Sequence, residues 1–321
     1  MQVFHKLDDV PNDFGPTIVS VGNFDGVHRA HARVLREIVR GAEEQGLRSM
    51  AVSFEPHPTR ILRPDTGLRL LTPIAEKVRL LEATGIDAVL LLPFDRDLSL
   101  MSPRQFAHDI LKQRLHVREV YEGYNFRFGH KAEGDLTMLA EFGRQMGFAV
   151  KLYPEMQLRG EPVSSTHIRK LLREGRVGRA RHLLGRCFSV VSTPGQGRGY
   201  GSRYTVPTIN LSRYQELVPC DGVYITRTQV GDECFDSVTN IGNRPTFGED
   251  SFAIEAHLLN FHPVELTAET RVEISFLNRL RDEIKFPSSE ALREQIGRDV
   301  KCTSRYFHLL QFVRGSGWQR G

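Results

Sequence analysis

The first half of the chain alternates short apolar runs with amphipathic stretches. TIVSVGNF (17–24) is a β-like run ending in a glycine turn. HARVLREIVRGAEEQG then places Val34, Leu35, Ile38 and Val39 on one helical stripe. The alternation continues through β-like SMAVSFEP, helical TPIAEKVRLLEATG, apolar DAVLLLPF, helical SPRQFAHDILKQRL, β-like REVYEGYNF, helical GDLTMLAEFGRQMG and β-like FAVKLYPEM. Repeated β/α units with buried-looking strands predict a parallel sheet covered by helices, with ligands at the carboxyl ends of the strands.

The texture changes after about residue 186. CFSVVST, GVYITRTQV, CFDSVTNIG, FAIEAHLLNF and TRVEISFLNRL read as strands, separated by turn-rich PGQGRGYGSRY and NRPTFGEDS. That spacing predicts an antiparallel barrel or sandwich. Helical spacing returns near the end, in SSEALREQIGRDVKCTSRYFHLL. Two domains are expected, 1–186 and 187–321, as suits a chain of 321 residues.

Hydrophobic residues are 40% and charged residues 26%, so a sizeable core needs neither metal nor disulfide. The net charge of +4 is spread along the chain and suits anionic small molecules as well as nucleic acid. Cys187, Cys220, Cys234 and Cys302 form no CxxC pair and lack zinc-ligand spacing, so they read as reduced thiols. The charged opening MQVFHKLDDVPNDFG has no apolar signal region, and AVLLLPF is far short of a membrane span. A cytoplasmic protein without a membrane partner is the expectation.

Chemistry gathers first at SVGNFDGVHRAH. His28 and His31 fall three residues apart at a helix start, behind Gly22, Asn23, Phe24 and Asp25. Free N–H groups and the dipole at such an end favour anions, and histidines on the same side add donors. The other reading is two solvated helix-start residues. In PVSSTHIRKLL, the hydroxyls of Ser164, Ser165 and Thr166 cap a helix expected to begin near His167, with Arg169 on its first turn. This is either a second phosphate clamp or plain capping. Phe54 in SFEPHP, and Asn125 and Phe128 in GYNFRFG, follow predicted strands and suit either a planar ligand or the core. In the second half, YTVPTINL puts Thr208 and Asn210 on one strand face, oxygen donors of the kind Mg²⁺ takes beside phosphate. GQGRGYG, with Gly201, lets backbone amides approach phosphates. Glu255, among apolar neighbours, is either a proton acceptor or an outward-facing strand residue.

Together, GNFDGVHRAH, SFEPHP, GYNFRFGHKAEGD, VSSTHIRKLL, PTINL, GVYIT, TNIGNRPTF, IEAHLLNF and LRDEIKF resemble, in order and over roughly residues 15 to 312, the bacterial bifunctional riboflavin kinase/FMN adenylyltransferases, or FAD synthetases. The resemblance implies an α/β Rossmann-like nucleotidyltransferase domain, then a Greek-key antiparallel β-barrel with a C-terminal helix. The first half would adenylylate FMN to FAD, and the second would phosphorylate riboflavin to FMN, each with ATP and Mg²⁺. It assigns His28, His31, Ser164, Ser165 and Arg169 to the ATP phosphates, Asn125, Phe54 and Phe128 to the flavin side, Thr208 and Asn210 to Mg²⁺ and phosphate, and Glu255 to the general base. No nucleic-acid partner is implied, and a monomer or weak homo-oligomer is expected. Two departures from the family pattern matter. Ala30 stands where the histidine motif has glycine, and GSRYTVPTIN differs from GRTLGFPTAN at Ser202, Thr205 and Val206. The second departure keeps open a reading in which only the adenylyltransferase works and the barrel is a degraded flavin-binding module.

Overall fold

The structure is a computed structural model that describes residues 1–195, 208–212, 214–243, 252–264 and 266–315. The chain divides into two compact units, Met1–His167 and Ile168–Gly321.

In the first unit, strands β1 (Gln2–Phe4), β2 (Thr17–Val21), β3 (Arg48–Glu55), β4 (Ala88–Pro93), β5 (Val117–Gly123) and β6 (Ala149–Tyr153) form one sheet in the order β1-β4-β3-β2-β5-β6. Every neighbouring pair is parallel. The sequence pattern anticipates all of these except the short β1. The helices are α1 (Arg29–Gln45), α2 (Pro58–Leu62), α3 (Ile74–Glu82), α4 (Arg96–Leu100), α5 (Pro103–Gln105) and α6 (Leu136–Met146). Two apolar layers sandwich the sheet. On one face, Val34, Leu35 and Ile38 of α1 and Leu81 of α3 pack with Ile18, Ala51 and Val89. On the other, Phe106, Ala107, Ile110 and Leu111, with Leu139 of α6, pack with Val19, Met50, Val52 and Val120. Each fully buried side chain of this size contributes about 1.5–3 kcal/mol. The stretch SPRQFAHDILKQRL departs from the expected single α-helix. Ser102 and Gln105 cap α5, and Phe106–Arg114 continues it as a wider π-helix, as in the bond from Leu115 N–H to the Ile110 carbonyl at 3.0 Å. An apolar stripe at this spacing fits either winding, so periodicity does not separate them.

A small hairpin, β7 (Gln157–Leu158) and β8 (Glu161–Pro162), was not marked by alternation; its turn residues Arg159 and Gly160 both have positive φ, the pattern of a type I′ hairpin turn. Helix α7 (Ser165–Arg173) runs across the boundary between the units, and α8 (Val177–Leu184) follows.

The second unit holds β9 (Phe188–Ser192), β10 (Thr208–Asn210), β11 (Gly222–Val230), β12 (Glu233–Asn243), β13 (Phe252–Leu258) and β14 (Val272–Arg281), then helix α9 (Ser289–Gly315). Their order is β10-β13-β12-β11-β14-β9, all antiparallel. Strands β11, β12 and β13 form a meander, and β14 returns beside β11, which is the Greek-key connection. The two edges meet past the ends of β9 and β10. Gly195 N–H donates to the Asn210 carbonyl at 2.8 Å, and Ser212 N–H to the Thr193 carbonyl at 2.9 Å. The sheet therefore closes as a barrel. Phe307 of α9 packs on Ile225 and Leu277. Among the described residues, no helix is long and apolar enough to cross a membrane.

Candidate active sites

In the first unit the chain leaves β2 toward β3 on one side and reaches β5 on the other only after β4. The carboxyl ends of β2 and β5 are thus the topological switch point, where an open α/β sheet leaves a crevice for ligand. Residues 22–28 fill its mouth. Gly22 N–H donates to the Val52 carbonyl (2.9 Å), ending the ladder to β3. The turn is wound tightly enough that Phe24 and Val27, neither of them glycine, adopt φ of 47° and 35°. Such backbone costs energy and persists only where its surroundings enforce it. Here they do. The buried Asp25 carboxylate accepts from Leu71 N–H at 2.9 Å and Thr72 N–H at 3.2 Å, and Thr72 Oγ1 accepts Gly26 N–H at 3.1 Å. Asp25, expected on the phosphate, is placed with its side chain against residues 71–72, where it fixes the turn. Phe24 is buried beneath the turn and meets His31 edge-on at 5.2 Å.

The two histidines do share one side of the helix start. Their rings stack at 3.6 Å between centroids, 15° from parallel. His28 caps α1: its Nδ1 accepts His31 N–H, which assigns the neutral ring's proton to Nε2. Burial holds the His31 ring well below the usual histidine pKa, and the charges of His28 and Lys77 push the same way. Lys77, from α3, was not marked by any motif. Its ammonium is buried, donating to Ser53 Oγ at 3.0 Å and the Asn23 carbonyl at 3.4 Å. Burial lowers its pKa, against the opposing pull of Glu55 and Asp25. Ala30 occupies the second position of α1, between the two histidines.

Ser164 Oγ accepts His167 N–H at 3.2 Å, so Ser164 caps α7, which begins at Ser165 rather than near His167. Ser165 Oγ donates to the Asp25 carbonyl at 2.8 Å, joining this helix start to the turn at 22–28. The two stretches expected to bind phosphate are thus brought into contact at that bond. Thr166 is exposed on the first turn, and Arg169 lies one turn beyond Ser165.

The aromatic residues expected on the flavin side have different surroundings. Phe54 is partly buried at the end of β3, edge-on to Phe94 at 5.7 Å. Phe128 is a core residue, stacked on Phe126 at 5.3 Å, and its backbone pairs with Gly134. Asn125 is exposed in the turn after β5. Two residues before that turn stands Glu122, buried, with its carboxylate accepting Val21 N–H. Burial raises its pKa well above the carboxylate range, partly offset by the Val21 and Gly123 N–H groups. Its place in the alternation of β5 gave no sign of this.

In the barrel, register sets a row across three strands. Asn210 of β10 and Asn240 of β12 both stand opposite Glu255 of β13, and Thr208 stands opposite His257. Directly opposed residues share a face. Their neighbours Ile209, Ile241, Ile254 and Ala256 are buried, so the polar row faces away from the barrel core. Thr208, Asn210 and Glu255 therefore come together as expected. Asn240 and His257 join them, and the signal for His257 was its spacing of two from Glu255. Burial lowers the pKa of His257. Gly201 and the altered 202–206 segment lie outside the described residues.

Both halves match known families. Residues 10–167 fit the FAD synthetase family model and residues 184–307 the riboflavin kinase model. Relatives named bifunctional riboflavin kinase/FMN adenylyltransferase span almost the whole chain. That of Pseudomonas fluorescens is 33% identical over 94% of this chain and 96% of its own. That of Buchnera aphidicola from Schizaphis graminum is 31% identical over 95% and 98%, and that of Escherichia coli K12 31% identical over 95% and 96%. A crystal structure named a macrolide-efflux protein from Streptococcus pneumoniae superposes with a TM-score of 0.83 at 24% identity, covering 94% of this chain and 98% of that one, a likeness of fold. An anion-favouring crevice, a polar barrel face, and relatives matching over both together place the chain in the bifunctional riboflavin kinase/FMN adenylyltransferase family.

Proposed function

We propose that the chain makes FAD from riboflavin in two ATP-dependent steps on two separate surfaces, the adenylyltransferase in residues 1–186 and the kinase in 187–321. The observation that carries the reading is a pair of polar constellations: the turn at 22–28 joined to Ser165 in the first unit, and the row of Asn210 and Glu255 in the second, each inside its own family match. In adenylyl transfer, an FMN phosphate oxygen attacks the α-phosphorus of ATP, and the bond to the bridging oxygen breaks to release pyrophosphate. The nucleophile is already anionic, so this step gains most from alignment and charge stabilisation. His28, His31 and the amides of Asn23 and Phe24 supply donors on one side of the triphosphate, whereas the Gly22 N–H, expected there too, is bonded to the Val52 carbonyl and shapes the turn instead. Ser164, Thr166 and Arg169 supply them on the other, and Ser165, whose hydroxyl is bonded to the Asp25 carbonyl, holds that helix start against the turn. Phe54 and Asn125 border the flavin, and Phe128 is a core residue packed on Phe126.

In the kinase step the ribityl hydroxyl attacks the γ-phosphorus and ADP leaves. Glu255 accepts the hydroxyl proton, a transfer that a neutral alcohol needs and a phosphate does not. Thr208 and Asn210, two apart on one strand face, offer oxygen donors of the kind Mg²⁺ prefers. Mg²⁺ held there would neutralise phosphate charge. The continuous riboflavin kinase match over 184–307 argues against a degraded barrel. We further place the enzyme in the cytoplasm, as a monomer or weak homo-oligomer with no nucleic-acid partner. Purified protein given riboflavin, ATP and Mg²⁺ should yield FMN and FAD on chromatography. Absence of both products overturns the reading.

A further inference from the structure

The ladder between β2 and β5 stops early. Its last register pair is Val19 with Val120, whereas β5 goes on pairing with β6 as far as Gly123 with Tyr153. Along β2, Thr17 N–H reaches toward β5, to the His116 carbonyl, and Gly22 N–H toward β3, to the Val52 carbonyl. Alternation therefore turns Val21 N–H toward β5, where no backbone acceptor remains. The Glu122 carboxylate takes that place. Glu122 is only 6% exposed, and among the described residues it has no ion-pair partner. By alternation it shares the sheet face of Val120, the face that also carries Phe126, Phe128 and Phe54.

Val21 is the last residue before the turn at 22–28, and Glu122 the second before the turn bearing Asn125. We propose that Glu122 is a positioning residue for adenylyl transfer: its bond to Val21 fixes the spacing between the nucleotide turn and the flavin turn where the two central strands part. The proposal rests on the adenylyltransferase reading of this unit. Each substrate meets mainly its own turn, so loosening the bond leaves binding of each largely intact. What suffers is the approach of the FMN phosphate to the α-phosphorus, where a displacement of about 1 Å costs up to about a hundred-fold in rate.

The test uses the full chain and three substitutions. Glu122→Gln keeps an oxygen acceptor at the same reach. Glu122→Asp keeps the carboxyl but withdraws it by one methylene. Glu122→Val removes the acceptor and places a strand-favouring apolar side chain on the buried face. Adenylylation of FMN should hold to within about three-fold in Glu122→Gln, while kcat falls about ten-fold or more in Glu122→Asp and Glu122→Val. The KM values for ATP and FMN should change by less than about three-fold in all three. Riboflavin phosphorylation by the same samples should be unchanged. Three results each overturn the proposal: an unchanged kcat in Glu122→Val, equal loss in Glu122→Gln and Glu122→Val, or a fall in binding as large as the fall in kcat. Wild-type protein that makes no FAD from FMN would instead remove the adenylyltransferase reading itself.

Discussion

A carboxyl group that folding buries beside backbone donors makes stability depend on pH, and Glu122 is such a group. Burial raises its pKa well above the ordinary carboxylate value. A group raised in the folded state contributes stability that is fully present below its unfolded pKa and is lost as pH rises through its folded one. His31 and Lys77 have lowered values, so their contributions run the other way and are lost as pH falls. Comparing wild type with Glu122→Gln isolates the first effect. Across about pH 4 to 8, thermal unfolding of the wild type should lose more of its midpoint on the alkaline side than the variant does. Parallel profiles for the two proteins would contradict the assignment of a raised pKa. The residue scale is also where sequence reading was least informed. His28 and His31 announced themselves by spacing. Lys77 and Glu122 did not, because a buried charge on a helix or strand looks the same in sequence as a solvated one. Only the fold shows which carbonyl or N–H it meets.

At the scale of elements, the alternation of apolar runs was sufficient to predict the parallel sheet and most of its helices, since burying one stripe against one sheet face leaves few other arrangements. It failed where two geometries satisfy one pattern, as at Phe106–Arg114, and where an element is too short to show a period, as in β1 and the β7–β8 hairpin. The link between elements was also invisible. Ser164 was legible as a cap, but the bond from Ser165 to the Asp25 carbonyl joins residues 140 apart in sequence. That bond ties the start of α7 to the nucleotide turn, so its loss should act on ATP. Ser165→Ala removes one neutral hydrogen bond, worth about 0.5–1.5 kcal/mol. The KM for ATP in adenylylation should rise roughly three- to ten-fold while the KM for FMN changes little. Steady-state kinetics with each substrate varied in turn will check this. A larger effect on FMN than on ATP would place the bond on the wrong side of the reaction.

The whole molecule is two units with different ways of making a site. The parallel sheet makes one by parting its strands at the switch point, so its functional residues lie in turns, close to where the sequence pattern breaks. The barrel makes one by register, so its residues come from separate strands and meet only when those strands pair. Thr208 and Asn210 were visible together, two apart on one strand. The row that adds Glu255 and Asn240 depends on a pairing of β10 with β13 and β13 with β12 that no local pattern encodes. If the two constellations work separately, removing one proton acceptor should silence one reaction alone. Glu255→Ala is expected to cut riboflavin phosphorylation by about a hundred-fold or more, the usual scale for a general base. Its effect on FMN adenylylation should stay within about two-fold, because that nucleophile is already ionised and gains nothing from a base. Riboflavin supplied to the variant should then give almost no FAD, whereas FMN supplied directly should give FAD at the wild-type rate. Equal loss of both reactions in a variant that unfolds at the wild-type temperature would show that one site serves both steps.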